Sequence, residues 1–169
     1  YSVTGVQTCA LPICLGQADW KKALGFGLGF GTVEALLLGL ASFGGSLVVL
    51  LMPTQLPPET YSQLTQNSSL GWSLAPIVER LFVVLVHIFF CVLLFYAAAL
   101  RKPGYFWLAF AFKSLLDVVA SYAQLHGLTL GLIWTVEAII AGFGVLAFFG
   151  TRRVARHYPA PETPPSQNP

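Results

Sequence analysis

Four long apolar segments limit most strongly what this chain can fold into. They cover about residues 23–52, 76–100, 104–124 and 128–150. Each provides at least the roughly 20 residues that a helix needs to cross a hydrocarbon layer about 30 Å thick. Inside that layer each backbone N–H and C=O group needs a partner within the protein, and an α-helix supplies all of them within one segment. We therefore predict an all-α, multi-pass transmembrane helical bundle with four spanning helices.

The composition agrees with a membrane protein and excludes several other classes. Of 169 residues, 56% are hydrophobic and only 9% are charged, against about 25% charged in soluble domains. The net charge of +2 and the lack of a polybasic patch indicate membrane lipids as partners and no nucleic acid. The sequence has no Cys-x-x-Cys, Cys/His or His-Glu-x-x-His spacing, so we predict no metal and no other cofactor.

Basic residues flank the predicted spans in a consistent way. They precede the first span, join the second to the third and follow the fourth, whereas the other two connections have none. Because lysine and arginine collect on the cytoplasmic side, we predict a multi-pass protein of a bacterial inner membrane, with both ends of this fragment cytoplasmic. The residues are Lys21, Lys22, Arg101, Lys102, Arg152, Arg153 and Arg156.

The two ends of the chain differ from the spanning part. The stretch "VTGVQTCALPI" at residues 3–13 resembles a translated sequencing adapter, so we interpret residues 1–14, with Cys14 at the junction, as an artefact and the chain as N-terminally truncated. The transmembrane domain is then 15–151. Residues 152–169 are rich in proline and predict a disordered cytoplasmic tail.

Several ionisable residues fall inside the predicted spans, where each costs about 2.5–3.5 kcal/mol on insertion scales unless it has a partner or water. Lys113 and Asp117 are spaced i, i+4, and Arg80 and His87 are spaced i, i+7, so each pair shares a helix face. We predict that these faces turn inward and form a polar layer. The full set is Glu34, Glu79, Arg80, His87, Lys113, Asp117 and Glu137.

Two further features of the spans predict local structure. Gly25, Gly27, Gly29 and Gly31 form two small-xxx-small faces on which a neighbouring helix can approach close to Glu34. Glu79 lies near the outer end of the second span, where we interpret it as a helix-start carboxylate favoured by the helix dipole.

Three short motifs resemble those of the YhfC-type intramembrane protease family, a distant relative of the CPBP group that includes CAAX proteases. They are "GFGTVEALLLG", "ERLFVVLVHIFF" and "FKSLLD". The resemblance implies a glutamic-type protease that hydrolyses peptide bonds of membrane-associated protein or peptide substrates. It places Glu34 at the catalytic Glu, Arg80 and His87 in the second motif, and Asp117 at the acidic end of the third. Where relatives begin that third motif with His, this chain has Lys113.

The resemblance suggests a chemical hypothesis. Glu34 would act as general base on a water that attacks the peptide carbonyl, and His87 would orient that water or donate to the oxyanion. Lys113 would either donate to the same oxyanion or neutralise Asp117 in a structural ion pair. Because an amine does not replace an imidazole directly, an inactive protein is the alternative.

Two other function classes stay open. "TVEALLLGL" at residues 32–40 is echoed by "TVEAIIAGF" at residues 135–143, which would place Glu34 and Glu137 on helices of opposite direction. Paired carboxylates on inverted repeats suit a membrane transporter. A non-catalytic membrane scaffold follows if Lys113 abolishes hydrolysis.

Overall fold

A computed structural model describes residues 19–66, 69–125 and 129–158, and the regular structure within these ranges is entirely helical. Four of the helices are long and apolar enough to cross a membrane. The predicted all-α architecture with four spanning helices is therefore confirmed. The helices are α1 (Trp20–Leu51), α2 (Pro58–Gln66), α3 (Leu70–Leu100), α4 (Pro103–Leu125) and α5 (Leu130–Ala155), with a single 3-10 turn at Pro53–Gln55.

Two helices extend beyond the predicted apolar spans. α3 begins six residues before Pro76, which lies inside the helix and costs it one backbone donor. α5 continues through Gly150 to Ala155. Gly150 is a packing residue, because a Cβ there would lie 2.6 Å from Cε2 of Phe89. The first four residues of the predicted tail, 152–155, are helical, and residues 1–14 and 159–169 lie outside the described ranges.

Helix α3 is the centre of the bundle and packs against α1, α4 and α5. Its buried side chains include Val86, Val92 and Leu93, which lie with Leu116 of α4 and Ile140 of α5 in the interior. Lipid tails are as apolar as these side chains, so close packing, rather than removal from water, stabilises such a core.

Helix α1 contacts α3 through a narrow stripe of small residues. Its buried residues are Ala23, Gly27 and Gly31, spaced four apart. A Cβ on Gly27 would lie 2.6 Å from Ile88 Cα, and a Cβ on Gly31 would lie 3.2 Å from Val84 Cα. Gly25 and Gly29 face open space. Only one of the two predicted glycine faces is therefore used for helix packing among the described residues.

Tyr158 follows α5 and contacts α3 at the end of the bundle where α1 begins and α5 ends. We call this the basic end, because Lys21, Lys22, Arg152, Arg153 and Arg156 lie there. The Tyr158 hydroxyl donates a hydrogen bond to the Val92 carbonyl at 2.8 Å, and the Tyr158 ring centroid lies 5.2 Å from that of Tyr96. Burial, followed by the nearby Asp19 carboxylate, raises the pKa of the Tyr158 hydroxyl, which keeps it a donor. The end of α5 is thereby fixed against the last turns of α3.

Candidate active site

Three of the predicted site residues meet between α1 and α3. Glu34 Oε2 lies 3.1 Å from His87 Nε2, and Glu34 Oε1 accepts a hydrogen bond from Arg80 Nη1 at 3.4 Å. One carboxylate thus contacts an imidazole with one oxygen and a guanidinium with the other. We call Glu34, Arg80 and His87 the Glu34 cluster.

The local sequence explains why these side chains meet. Gly31 lies three positions before Glu34, and a Cβ there would lie 3.2 Å from His87 Cβ, so the missing side chain lets α1 approach α3 at the level of His87. Arg80 and His87 are seven residues apart on α3 and face α1 together. Glu34 bridges the two turns that separate them.

His87 is the most enclosed member of the Glu34 cluster. Its side chain is fully buried, and the ring of Phe30 packs edge-on against it with centroids 5.0 Å apart. The contact with Glu34 is close but lacks hydrogen-bond alignment, and neither imidazole nitrogen has a hydrogen-bond partner among the described residues. Burial of an imidazole without hydrogen-bond partners costs free energy, and the Nε2 atom of His87 lies beside the partly exposed Glu34 carboxylate.

Glu79 belongs to the same network, which the sequence interpretation missed. The helix begins nine residues before it, so Glu79 is not a helix-start carboxylate, and the dipole explanation was wrong. Its Oε1 accepts from Arg80 Nη2, and its side chain is 22% exposed. The acidic residue Glu79 is followed directly by the basic residue Arg80, and this adjacency could have suggested the pair.

Lys113 and Asp117 form the predicted i, i+4 pair on α4. Lys113 Nζ lies 2.5 Å from Asp117 Oδ1, with side chains 24% and 58% exposed. Among the described residues, neither Lys113 nor Asp117 forms an ion pair with a member of the Glu34 cluster. This geometry agrees with the ion-pair interpretation of Lys113.

Glu137 lies apart from Glu34 and in a different environment. It is 6% exposed, and its Oε2 has no hydrogen-bond partner within the described part of the chain. It lines a cavity of about 360 Å³ together with Glu79 and Arg80. The carboxylates of the two similar sequence stretches therefore differ in their surroundings: Glu34 contacts Arg80 and His87, whereas Glu137 lines a cavity that Arg80 also lines.

The donor atoms do not form a usual metal site. Catalytic zinc takes three protein ligands, yet within residues 19–66, 69–125 and 129–158 no group of three His, Cys, Asp or Glu side chains could hold a metal ion. Glu34 and His87 supply two donors, and the Arg80 guanidinium already occupies the other oxygen of the carboxylate. The described residues therefore do not fit a metal.

Comparison with known proteins identifies the family. The family model described as "YhfC intramembrane metalloprotease" matches residues 14–140, a range that contains all three motifs of the predicted site. That description names a metal, in contrast to the predicted absence of one and to the donor set above. Neither the curated proteins nor the solved structures gave a match. With four spanning helices and a family match over most of its length, this chain is a membrane protein that belongs to the YhfC intramembrane protease family.

Proposed function

We propose that this protein is a glutamate-dependent endopeptidase that hydrolyses peptide bonds of membrane-associated substrates. The observation that carries the proposal is the shared contact of the Glu34 carboxylate with His87 at 3.1 Å and Arg80 at 3.4 Å. Family membership supports peptide hydrolysis within the membrane. Ionisable side chains inside spanning helices raise the free energy of membrane insertion, and such residues commonly mark a functional site.

Glu34 is the general base of the proposed reaction. Its carboxylate takes a proton from a water molecule while the water oxygen attacks the peptide carbonyl carbon. The carbonyl π electrons move to oxygen and give a tetrahedral oxyanion. When that intermediate collapses, the C–N bond breaks and Glu34 returns the proton to the departing amine. The exposed fraction of the Glu34 side chain, 35%, leaves room for a water and a substrate at the carboxylate.

Arg80 and His87 are the proposed donors to the oxyanion and to the attacking water. A guanidinium carries five N–H groups, and the two contacts of Arg80 with Glu34 and Glu79 leave others to stabilise developing negative charge. Neither ring nitrogen of His87 has a hydrogen-bond partner among the described residues, and its Nε2 lies 3.1 Å from Glu34 Oε2, so we assign it to orienting the water at Glu34. Lys113 is assigned to charge neutralisation of Asp117, because it pairs with that carboxylate and, among the described residues, forms no ion pair with the Glu34 cluster.

Orientation is part of the proposal. We propose that the end at which α1 begins and α5 ends faces the cytoplasm of a bacterial cell, because the basic residues collect there. The cavity beside Glu79, Arg80 and Glu137 then lies toward the opposite end and offers water a route to Arg80. Labelling of a single cysteine at position 102 from outside intact cells would contradict this orientation.

Removal of metal is expected to leave peptide cleavage intact, because the Glu34 cluster provides a base and oxyanion donors without a metal. The full chain is reconstituted in liposomes with a fluorescent single-span peptide, then treated with EDTA and phenanthroline, and residual metal is measured by mass spectrometry. A Glu34→Gln preparation controls for contaminating metalloproteases. Loss of cleavage that returns with stoichiometric Zn²⁺ would contradict the metal-independent mechanism, and solute uptake without cleavage would favour a transporter.

A further inference from the structure

A second cavity lies at the basic end of the bundle, between α1, α3 and α5. Its volume is about 470 Å³, which is in the range of sites for small ligands. Its walls are largely apolar, with Leu24 of α1 and Leu85 and Ile88 of α3. None of the residues of the Glu34 cluster lines it. We call it the basic-end cavity.

Two arginines give the basic-end cavity a positive charge. Arg152 lies in the last turn of α5, Arg156 directly follows the helix, and both line the cavity. No carboxylate within the described ranges lies at ion-pair distance from either. The Arg152 guanidinium carbon stands 4.3 Å from the Phe148 ring centroid, which holds the charge beside the apolar wall. Both guanidinium groups keep donors available to an anion.

Thr151 adds a buried donor to the same cavity. It is 9% exposed, and its Oγ1 has no hydrogen-bond partner in the described part of the chain. Threonine hydroxyls inside helices commonly donate to the carbonyl four residues earlier, so an unpartnered hydroxyl that lines a cavity points to a ligand. The hydroxyl and the two guanidinium groups can donate hydrogen bonds to an anionic head group, and the apolar walls can contact a hydrocarbon chain.

We propose that the basic-end cavity binds one anionic phospholipid, with its phosphodiester between Arg152 and Arg156 and part of an acyl chain along Leu85 and Ile88. Charge complementarity selects the anionic head group, and the surrounding bilayer supplies the ligand. Basic pockets between spanning helices on the cytoplasmic side are known to bind anionic head groups. Thr151 donates to the phosphate or to the adjoining ester. This proposal does not depend on catalysis.

Lipid binding to the full chain tests the proposal directly. The protein is purified in a non-ionic detergent, titrated with dioleoylphosphatidylglycerol or dioleoylphosphatidylcholine, and examined by native mass spectrometry. We expect one phosphatidylglycerol per chain in clear preference to phosphatidylcholine. Arg152→Gln and Arg156→Gln should each weaken binding about fivefold, which corresponds to about 1 kcal/mol per basic residue near a membrane surface.

Arg153→Gln is the matched control, because it removes the same charge from the same turn but from a residue that does not line the cavity. It should bind phosphatidylglycerol like the unchanged protein. Equal weakening by Arg153→Gln would overturn the proposal in favour of general surface charge, and equal binding of the two lipids would overturn it as well. Binding of inorganic phosphate without detectable binding of phosphatidylglycerol would overturn the lipid assignment and indicate a free-phosphate site. Near-normal binding by Arg152→Lys would support it, since charge is retained.

Discussion

Glu34→Gln is expected to lower the rate of peptide cleavage by about 10²- to 10⁴-fold, the usual contribution of general acid–base catalysis. The amide keeps the size of the side chain and one oxygen that can accept from Arg80, whose Nη1 lies 3.4 Å from Glu34 Oε1. It has no basic oxygen for the proton of the attacking water. The rate should be measured in liposomes under single-turnover conditions, so that product release does not mask the chemical step.

The matched control for Glu34→Gln is Glu59→Gln in α2, which is the same chemical change in an exposed connection outside the spanning helices. It should cleave like the unchanged protein. Thermal unfolding in detergent should show that both variants fold. Retention of full cleavage by a folded Glu34→Gln protein would contradict the assignment of Glu34 as the base. Glu137 would then be the next candidate for that role.

Gly27→Ala is expected to lower the free energy of unfolding by about 1–3 kcal/mol, the usual cost of overpacking. The added Cβ would lie 2.6 Å from Ile88 Cα and 2.9 Å from the His87 carbonyl oxygen. Both are backbone atoms, which cannot rotate away as a side chain can. The helices α1 and α3 must separate, so the Glu34–His87 contact lengthens and the cleavage rate falls with the stability.

Gly29→Ala separates this packing effect from helix propensity. Apart from its two chain neighbours and its own helix backbone, no atom of the described residues lies within 4 Å of a Cβ at Gly29, so the substitution should stabilise the helix by up to about 1 kcal/mol. Unfolding of both variants is measured by titration of mixed micelles with SDS. Equal stability of Gly27→Ala and Gly29→Ala would contradict the close approach of α1 to α3.

The spanning helices could be predicted because the hydrocarbon layer fixes their length and composition. Two helices extend beyond the predicted spans, because a residue that breaks helices in water is tolerated within a membrane bundle. α3 includes Pro76 in its interior, and Gly150 accommodates the Phe89 ring. The apolar pattern predicted the spans, whereas the helices also include residues that flank the apolar runs.

The Glu34 cluster could be predicted because helical spacing and the cost of buried charge both lead to the same residues. The spacing of Arg80 and His87 places them on one face, and the glycines before Glu34 indicate a close helix. The contact of Arg80 with Glu79, the cavity beside Glu137 and the choice between two glycine faces depend on how α3 is rotated against its neighbours. The sequence periodicity of a single helix does not determine how that helix is rotated against its neighbours.

The most direct test of a water activated by Glu34 is the fate of the solvent oxygen during cleavage. The full chain in liposomes cleaves a single-span peptide in water enriched in the heavy oxygen isotope, with hydroxylamine present, and the products are weighed by mass spectrometry. Direct attack by water predicts one heavy oxygen in each new carboxyl terminus and no hydroxamate. A hydroxamate at the cleaved carbonyl would reveal an acyl-enzyme and contradict Glu34 as a general base acting on water.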